Sequence, residues 1–180
     1  MTVAGLVLAA GAGRRYGMPK ALVRHGDRLF VQHAVDTLRS GGCDRIVVVL
    51  GAAADEVVAA APDLPEVVVN PDWDSGMASS LQAGLAALDD EDAVIVLLVD
   101  MPGVTAAAVE RLRAHAGPAA LAMGGYGGRR GHPVLLGRDH WAGVAATATG
   151  DRGARDYLRA HPVTVVPVGD VADDHDIDVR

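Results

Sequence analysis

Residues 6–22 read LVLAAGAGRRYGMPKAL, an apolar run that stops at a glycine-rich turn. Residues 3–10 are apolar and β-prone, so they predict a buried strand that ends at Gly11. Small residues in the turn let backbone amides approach an anion closely. Arg15 and Lys20 follow and add the positive charge that a phosphate ligand requires. The stretch therefore predicts a strand followed by a phosphate-binding loop.

The spacing of the glycines distinguishes this loop from two common phosphate-binding loops. A dinucleotide-binding loop has the pattern G-x-G-x-x-G, whereas these glycines lie at positions 11, 13 and 17. The next predicted strand, residues 45–50, also ends without an acidic residue to bind a ribose. A P-loop requires contiguous Gly-Lys-Ser/Thr, but a Met-Pro pair separates Gly17 from Lys20. Both assignments fail, and a tight turn with solvated arginines stays open as the alternative.

Apolar runs alternate with helical patterns along the rest of the chain. Further strands are predicted over residues 45–50, 66–69, 93–99, 119–123, 133–136 and 163–167. Helices are predicted over residues 30–38, 53–61, 76–88, 105–116 and 151–160, with Thr105 as an N-cap. Continuous apolar strands joined by helices are typical of a parallel sheet covered on both faces. The sequence therefore predicts one α/β domain over residues 1–180, in three α/β/α layers with a mostly parallel, Rossmann-like sheet.

The composition limits the classes of function. The chain has 180 residues, 50% of them hydrophobic, and a formal net charge of −7 at pH 7. That charge argues against a nucleic-acid-binding surface, which would need a basic face. Cys43 is the sole cysteine, so neither an internal disulfide nor a cysteine-based zinc site is expected. Because no apolar run reaches the roughly 18 residues that span a bilayer, we expect a soluble, cytoplasmic protein without a membrane partner.

Polar or glycine-rich segments follow three of the predicted strands. They are residues 11–20, residues 70–80 and the Asp100-Met-Pro stretch. Because ligands bind outside the carboxyl ends of the strands in such sheets, we expect the three segments to converge on one rim. Asp100 follows an almost wholly aliphatic strand, where a carboxylate must be solvated, hydrogen-bonded or metal-bound.

Several motifs resemble those of one family of nucleotidyltransferases. Residues 8–20, LAAGAGRRYGMPK, are similar to its signature L-A-A-G-x-[S/G]-x-R-[M/F]-G-x-x-K. Residues 70–81 resemble N-P-x-W-x-x-G-M-x-x-S-L, and residues 98–102 resemble L-x-D-x-P. The segments GHP (131–133), GDRGAR (150–155) and DID (176–178) also match. The chain thus resembles the MobA-like group, and most of all the molybdenum cofactor cytidylyltransferases.

The resemblance implies a nucleotidyltransferase fold and a specific reaction. CMP would pass from CTP to the molybdopterin form of the molybdenum cofactor, with release of pyrophosphate. Mg²⁺ is the implied cofactor, with Mn²⁺ as the alternative, and a molybdoenzyme that receives the product is an implied partner. Guanylyl-transferring relatives usually carry a G-P-L-A-G-like stretch in the region of residues 70–81, so the resemblance favours CTP over GTP.

The resemblance also assigns the site residues. Catalysis is assigned to Arg15, Lys20 and Asp100, and the metal ligands are Asp100 and Asp178. The nucleotide-binding residues are Leu8, Ala9, Ala10, Gly11, Gly13, Arg15, Lys20, Ser79, Ser80 and Asp100. The acceptor-binding residues are His132, Asp151 and Arg155. The glycine-rich residues 124–131 are expected to form a mobile loop that closes over the acceptor.

Structural roles remain alternatives for several of these residues. Asp178 lies in an acidic run of the kind that is usually a solvated tail. Ser75 would cap the helix predicted over residues 76–88, which leaves Ser79 and Ser80 on its surface. His132 would satisfy a local carbonyl, and Asp151 would cap the helix predicted over residues 151–160.

Other functions also stay open at this point. They are transfer of GMP or another NMP to the same cofactor, and transfer to a phosphosugar or phospholactate. An NAD-dependent oxidoreductase is opposed by the glycine spacing. A non-catalytic chaperone that holds the cofactor would need binding residues without a complete metal site.

Overall fold

A computed structural model of the chain describes residues 1–178. Its strands are β1 (Val3–Ala9), β2 (Arg24–His25), β3 (Arg28–Leu29), β4 (Arg45–Leu50), β5 (Glu66–Val69), β6 (Ala93–Leu98), β7 (Leu121–Tyr126), β8 (Arg129–Gly137) and β9 (Thr164–Pro167). Within the described residues, seven of them form one sheet in the order β5-β4-β1-β6-β8-β7-β9, and β2 pairs with β3 in a separate hairpin. In the large sheet β8 runs antiparallel to β6 and β7, and the other neighbouring strands are parallel. The mostly parallel sheet is therefore confirmed.

Helices cover both faces of the sheet. They are α1 (Phe30–Ser40), α2 (Ala54–Ala60), α3 (Met77–Ala86), α4 (Ala106–Arg113), α5 (Arg138–Thr147) and α6 (Arg155–Arg159). Apolar residues of α1, α2 and α4 share one core cluster, and those of α3, α5 and α6 share the other. Along β1, Val3 and Val7 belong to the first cluster, whereas Leu6 and Leu8 belong to the second. The alternation produces the predicted three α/β/α layers.

Local sequence explains several element boundaries. The Thr105 hydroxyl accepts a hydrogen bond from the Ala108 amide at 3.3 Å, so the predicted N-cap of α4 is confirmed. The predicted helix over residues 151–160 forms only from Arg155 onward, since residues 151–154 form a turn. Helix α5 was not predicted.

Among the described residues, no helix has both the length and the apolar character that crossing a bilayer requires.

The expectation of a mobile loop over residues 124–131 is wrong. These residues belong to an antiparallel hairpin, in which β7 and β8 pair on either side of Gly127 and Gly128. Both glycines have positive φ angles, 58° and 87°, as a tight two-residue turn between strands requires. A glycine pair between two short strands was therefore a hairpin signal rather than a sign of mobility.

Candidate active site

A cleft opens at the carboxyl ends of β1 and β6, as expected from the topology. Its smaller part, here called the loop pocket, has a volume of about 280 Å³ and is lined by Gly11, Gly13, Lys20 and Ser80 among others. Its larger part, the hairpin pocket, has a volume of about 700 Å³ and extends beneath the β7–β8 hairpin. Asp100 borders both pockets.

The glycine-rich loop after β1 forms one wall of the loop pocket. Gly13 has a φ angle of 63°, and a Cβ atom at this position would lie 1.8 Å from the Met18 carbonyl oxygen. The Gly17 amide donates a hydrogen bond to the Gly13 carbonyl at 2.8 Å and closes the turn. The turn therefore requires glycine at position 13, and it exposes this stretch of backbone to the pocket.

The other residues predicted near the glycine-rich loop do not all line the loop pocket. Leu8 and Ala10 line the loop pocket, whereas the Ala9 side chain packs in the core on the opposite face. Arg15 is exposed and lines an outer shelf of about 320 Å³ beside the loop. Arg14, next to it, forms a 2.8 Å ion pair with Asp74 at the exposed edge.

Lys20 lies between two of the predicted carboxylates. Its Nζ atom is 2.9 Å from Asp100 Oδ2 and 3.0 Å from Asp178 Oδ1. Burial lowers the pKa of Lys20, but the hydrogen bonds and charges of the two carboxylates outweigh that effect and raise the pKa above its ordinary value. The hydrogen bond from Lys20 in turn holds the pKa of Asp178 below its usual range. The Lys20 ammonium and the Asp178 carboxylate are therefore charged together at neutral pH.

Three carboxylates at this point fit a divalent cation. One oxygen from each of Asp100, Asp176 and Asp178 lies within 4.8 Å of the others. Carboxylate oxygens are the ligands that Mg²⁺ and Mn²⁺ prefer. The Lys20 ammonium pairs with two of these carboxylates and balances part of their negative charge. The donor set therefore fits a hard divalent metal.

The two serines predicted to bind the nucleotide lie at the start of α3, and both are held by Asn70. The buried Asn70 amide donates to Ser79 Oγ at 2.9 Å and to Ser80 Oγ at 3.0 Å. Ser80 lines the loop pocket. Ser79 Oγ instead contacts the Asp72 and Gly76 carbonyl oxygens, 3.0 and 2.9 Å away, so it closes the local turn.

The start of α3 is capped from a distant part of the chain. Ser75 does not cap it, because Gly76 is the N-cap residue and Ser75 Oγ donates to the Asp72 carbonyl at 2.7 Å. The Ala78 amide donates to the Gly150 carbonyl at 2.8 Å, and the Met77 amide lies 3.4 Å from Asp151 Oδ1. Asp151 thus touches the first turn of α3, and it borders both pockets.

His132 faces the hairpin pocket because β8 is irregular at that point. Met123 pairs with Val134, but the next residue, Gly124, pairs with Gly131, so His132 and its neighbour are extra residues in β8. His132 is half-buried and lines the pocket. Burial lowers the pKa of His132, while the charges of Asp174 and Asp100 act in the opposite direction. The imidazole is therefore neutral at pH 7.

The hairpin pocket combines an apolar floor with arginines. The floor includes Leu81, Val96, Met123, Val134, Leu136 and Leu158. Arg155, which was predicted to bind the acceptor, is exposed and lines this pocket. Arg130 and Arg159 line it as well, and both are exposed. The pocket thus combines an apolar base with charged side chains of both signs, because aspartates, Asp100 and Asp151 among them, line it beside the arginines.

Sequence reasoning missed several residues of the cleft. Asp176 belongs to the carboxylate cluster. It lies two residues before Asp178 in a segment that forms no helix, and this spacing could have indicated that both side chains reach the same site. Trp73 lines the loop pocket and also packs against the core cluster that contains α3, α5 and α6. Arg130 and Arg159 reach the hairpin pocket from two distant elements, and no local pattern marks them.

Comparison with known proteins gives a consistent family. The model of the MobA-like NTP transferase domain matches residues 5–165. The nicotine blue oxidoreductase of Paenarthrobacter nicotinovorans is 41% identical over 187 aligned residues, which cover 98% of this chain and 92% of that protein.

Solved structures agree in fold over nearly the whole chain. The homologue of Mycobacterium tuberculosis Rv0371c from Mycobacterium sp. strain JC1 is 33% identical, with a TM-score of 0.86 over 98% of this chain and 90% of that chain. Rv0371c from Mycobacterium tuberculosis H37Rv, solved as a complex with manganese, is 32% identical, with a TM-score of 0.81 over 98% of this chain and 94% of that chain.

Proposed function

We propose a specific reaction for this chain, which belongs to the MobA-like NTP transferase family and is a nucleotidyltransferase. It moves CMP from CTP to the molybdopterin form of the molybdenum cofactor and releases pyrophosphate. The observation that carries the proposal is the junction of two pockets at Asp100, beside the Lys20 ammonium. In-line transfer requires a donor on one side of the α-phosphorus and an acceptor on the other, which two adjoining pockets provide.

The loop pocket suits the nucleotide. The turn from Gly11 to Gly13 offers backbone amides to a phosphate, and Lys20 and Arg15 add charge at the pocket and its outer shelf. Lys20 neutralises negative charge that develops on the α-phosphoryl oxygens. Ser80 adds a hydroxyl to the same wall. These groups bind and orient a triphosphate, and they do not form a covalent bond to it.

The chemical step is a displacement at phosphorus. An oxygen of the acceptor's phosphate forms a bond to the α-phosphorus, and the bond from that phosphorus to the bridging oxygen breaks. Pyrophosphate leaves with the electron pair. Asp100, Asp176 and Asp178 would hold Mg²⁺ or Mn²⁺, which when bound neutralises charge on the phosphoryl oxygens.

The hairpin pocket suits an acceptor with an anionic group and a flat, weakly polar body. Its apolar floor would contact the ring system, while Arg155, Arg130 and Arg159 would pair with a terminal phosphate. The neutral His132 has a ring nitrogen available to accept a hydrogen bond or an N–H available to donate one. A phosphorylated pterin has this combination of ring and charge.

The choice of CTP rests on the resemblance, because residues 70–81 lack the G-P-L-A-G-like stretch of guanylyl-transferring relatives. GTP with the same acceptor, or a phosphosugar or phospholactate acceptor, would use the same geometry. The proposal includes reaction in the cytoplasm and delivery of the product to a molybdoenzyme.

A second candidate function is an oxidation or reduction. It is favoured by the 41% identity with a protein named nicotine blue oxidoreductase over 98% of this chain. The loop geometry favours transfer over binding of NAD, because the glycines have the wrong spacing and β4 ends in Leu50 and Gly51 without a carboxylate. The two candidates require different co-substrates, so one assay separates them.

The test is pyrophosphate release with Mg²⁺ from CTP, GTP, ATP and UTP, each with and without molybdenum-charged molybdopterin. We expect release from CTP that requires the pterin, and loss of that release in Asp100→Ala. Glu110→Ala is the control, because Glu110 is an exposed acid on α4 that lines none of these pockets. Release from GTP alone would contradict the choice of CTP as the nucleotide substrate.

Other outcomes overturn the reaction itself. Pterin binding without release from any nucleotide would identify a chaperone. Oxidation of NADH or NADPH in place of pyrophosphate release would support the second candidate.

A further inference from the structure

Asp176 and Asp178, two of the proposed metal ligands, depend on neighbouring contacts for their position. They belong to the C-terminal segment, defined here as residues 170–178. Residues 172–178 form neither helix nor strand, so no regular backbone ladder fixes them. The role of Asp100, Asp176 and Asp178 as metal ligands rests on the proposed function, whereas the contacts that hold this segment do not.

Backbone hydrogen bonds attach the segment to the loop after β6. The Asp173 amide donates to the Gly103 carbonyl at 3.0 Å, and the Ile177 amide donates to the Asp100 carbonyl at 2.9 Å. These bonds hold the backbone near Asp100. The side chain that anchors the segment between them is Asp174.

Asp174 is the most deeply buried acid of the segment. Its side chain is 7% exposed, and its two oxygens accept hydrogen bonds from the Arg129 guanidinium at 2.7 and 3.1 Å. Burial raises the pKa of Asp174, but the paired guanidinium outweighs burial and the pKa lies below the usual range. A buried carboxylate held bidentately by one arginine is a strong and directional contact.

The backbone of β8 is shaped to admit this carboxylate. A Cβ atom at Gly131 would lie 1.9 Å from Asp174 Oδ2, so only glycine allows the contact. The Arg129 guanidinium lies over the Tyr126 ring, 5.2 Å from its centroid, and the Tyr126 hydroxyl donates to the His132 carbonyl. The end of the hairpin therefore fixes Arg129 as well as Asp174.

We propose that Arg129 is a positioning residue, which holds Asp176 and Asp178 in the metal site by clasping Asp174. Arg129 lines neither pocket, and its guanidinium is engaged by Asp174. Asp174 precedes Asp176 by two residues, which span at most about 7 Å of extended chain. A displacement at Asp174 therefore moves the metal ligands.

The test measures binding of Mn²⁺ alone to the full chain, by electron paramagnetic resonance and without nucleotide. Arg129→Ala should weaken Mn²⁺ binding by about 10-fold or more, the usual scale for a residue that orients metal ligands. Arg129→Lys keeps the charge and should recover part of the affinity. The Tm of each variant is recorded, because loss of stability without loss of affinity would indicate a structural role and overturn the proposal.

Arg111→Ala is the matched control. Arg111 pairs bidentately with Asp170 at the other end of the same segment, at 2.6 and 2.9 Å. Its removal should change Mn²⁺ affinity by less than about twofold, since exposed ion pairs contribute little and the Asp174 clasp remains. Equal weakening by Arg111→Ala and Arg129→Ala would contradict a specific role for Arg129.

Arg129→Ala leaves a buried carboxylate without its cation and risks unfolding. The double variant Arg129→Ala/Asp174→Asn removes that charge and keeps the shape, and it should show the same loss of Mn²⁺ affinity. Wild-type affinity in this folded double variant would overturn the proposal. A wild-type chain that binds Mn²⁺ but transfers no nucleotide would contradict only the proposed reaction.

Discussion

Lys20 has two roles that follow from its position between Asp100 and Asp178. Without a metal, its ammonium separates two carboxylates that would otherwise repel each other, at 2.9 and 3.0 Å. In the proposed reaction the same charge neutralises the α-phosphoryl group. Because the neighbouring acids raise its pKa, the ammonium stays protonated throughout the physiological range.

Replacing Lys20 with alanine should lower kcat about 10²- to 10³-fold, the usual effect of removing one preorganised charge from a transition state. The measurement is steady-state pyrophosphate release at saturating CTP and Mg²⁺. Arg39→Ala is the control, because Arg39 is exposed near the end of α1, outside the pockets, and should leave kcat nearly unchanged. A wild-type kcat in the Lys20→Ala variant would show that Lys20 does not stabilise the transition state.

His132 predicts a pH dependence of stability. Its pKa in the fold lies below its ordinary value, because burial disfavours the charged ring. The unfolded chain binds a proton there below about pH 6.5, whereas the folded chain does not. The free energy of unfolding should therefore fall as pH drops below about 6.5 toward the lower folded pKa.

Urea unfolding of the wild type and His132→Gln between about pH 5 and pH 7.5 measures this contribution. The variant should show a shallower loss of stability toward acid. Identical pH profiles for the two proteins would mean that His132 is protonated equally in the folded and unfolded chain.

At the level of elements, most strands were predictable from short apolar runs. Strands β1, β4, β5, β6 and β9 lie close to the predicted bounds, although the edge strands β5 and β9 are mostly exposed or half-buried. Helix α5 was missed, since it contains Gly143, buries only Trp141 and Val144, and has Gly137 as its N-cap without a capping side chain. Its position depends on packing that no local pattern records.

The candidate site also combines residues that sequence motifs identify with residues that no motif marks. The motifs identified Lys20 and Asp100 on two separate loops, and the parallel topology explains why they meet. A motif also identified His132, which enters the cleft through an irregularity in β8, whereas Arg130 lies on an unpredicted hairpin. The position of Arg130 is set by strand pairing between distant segments, which one sequence does not specify.

The loop after β1 predicts a contrast between two glycines. Gly13→Ala should destabilise the fold, because the new Cβ would lie 1.8 Å from a backbone oxygen at a φ angle of 63°. Gly11→Ala should change stability little, since a Cβ at Gly11 meets nothing within 4 Å. Urea unfolding of both variants tests this, and equal stabilities would contradict the loop geometry.

At the scale of the whole molecule, one sheet joins the two core clusters. Each central strand contributes side chains to both faces, as Val7 and Leu8 do in β1. Removing either helical layer would expose apolar side chains on strands that also pack against the other layer. We therefore predict that the chain is a single domain.

Differential scanning calorimetry tests the single domain. One transition is expected, with equal calorimetric and van't Hoff enthalpies. Two resolved transitions would show that the faces unfold separately and would contradict a single domain.

In the proposed reaction, this cleft joins a nucleotide to a phosphorylated pterin. The most direct measurement follows CTP labelled at the α-phosphorus in the presence of Mg²⁺ and molybdenum-charged molybdopterin. We expect the label to enter the pterin product with release of an equal amount of pyrophosphate, and Asp100→Ala to abolish both. Pterin turnover that consumes NADH while all the label stays in CTP would rule out nucleotidyl transfer and favour an oxidoreductase.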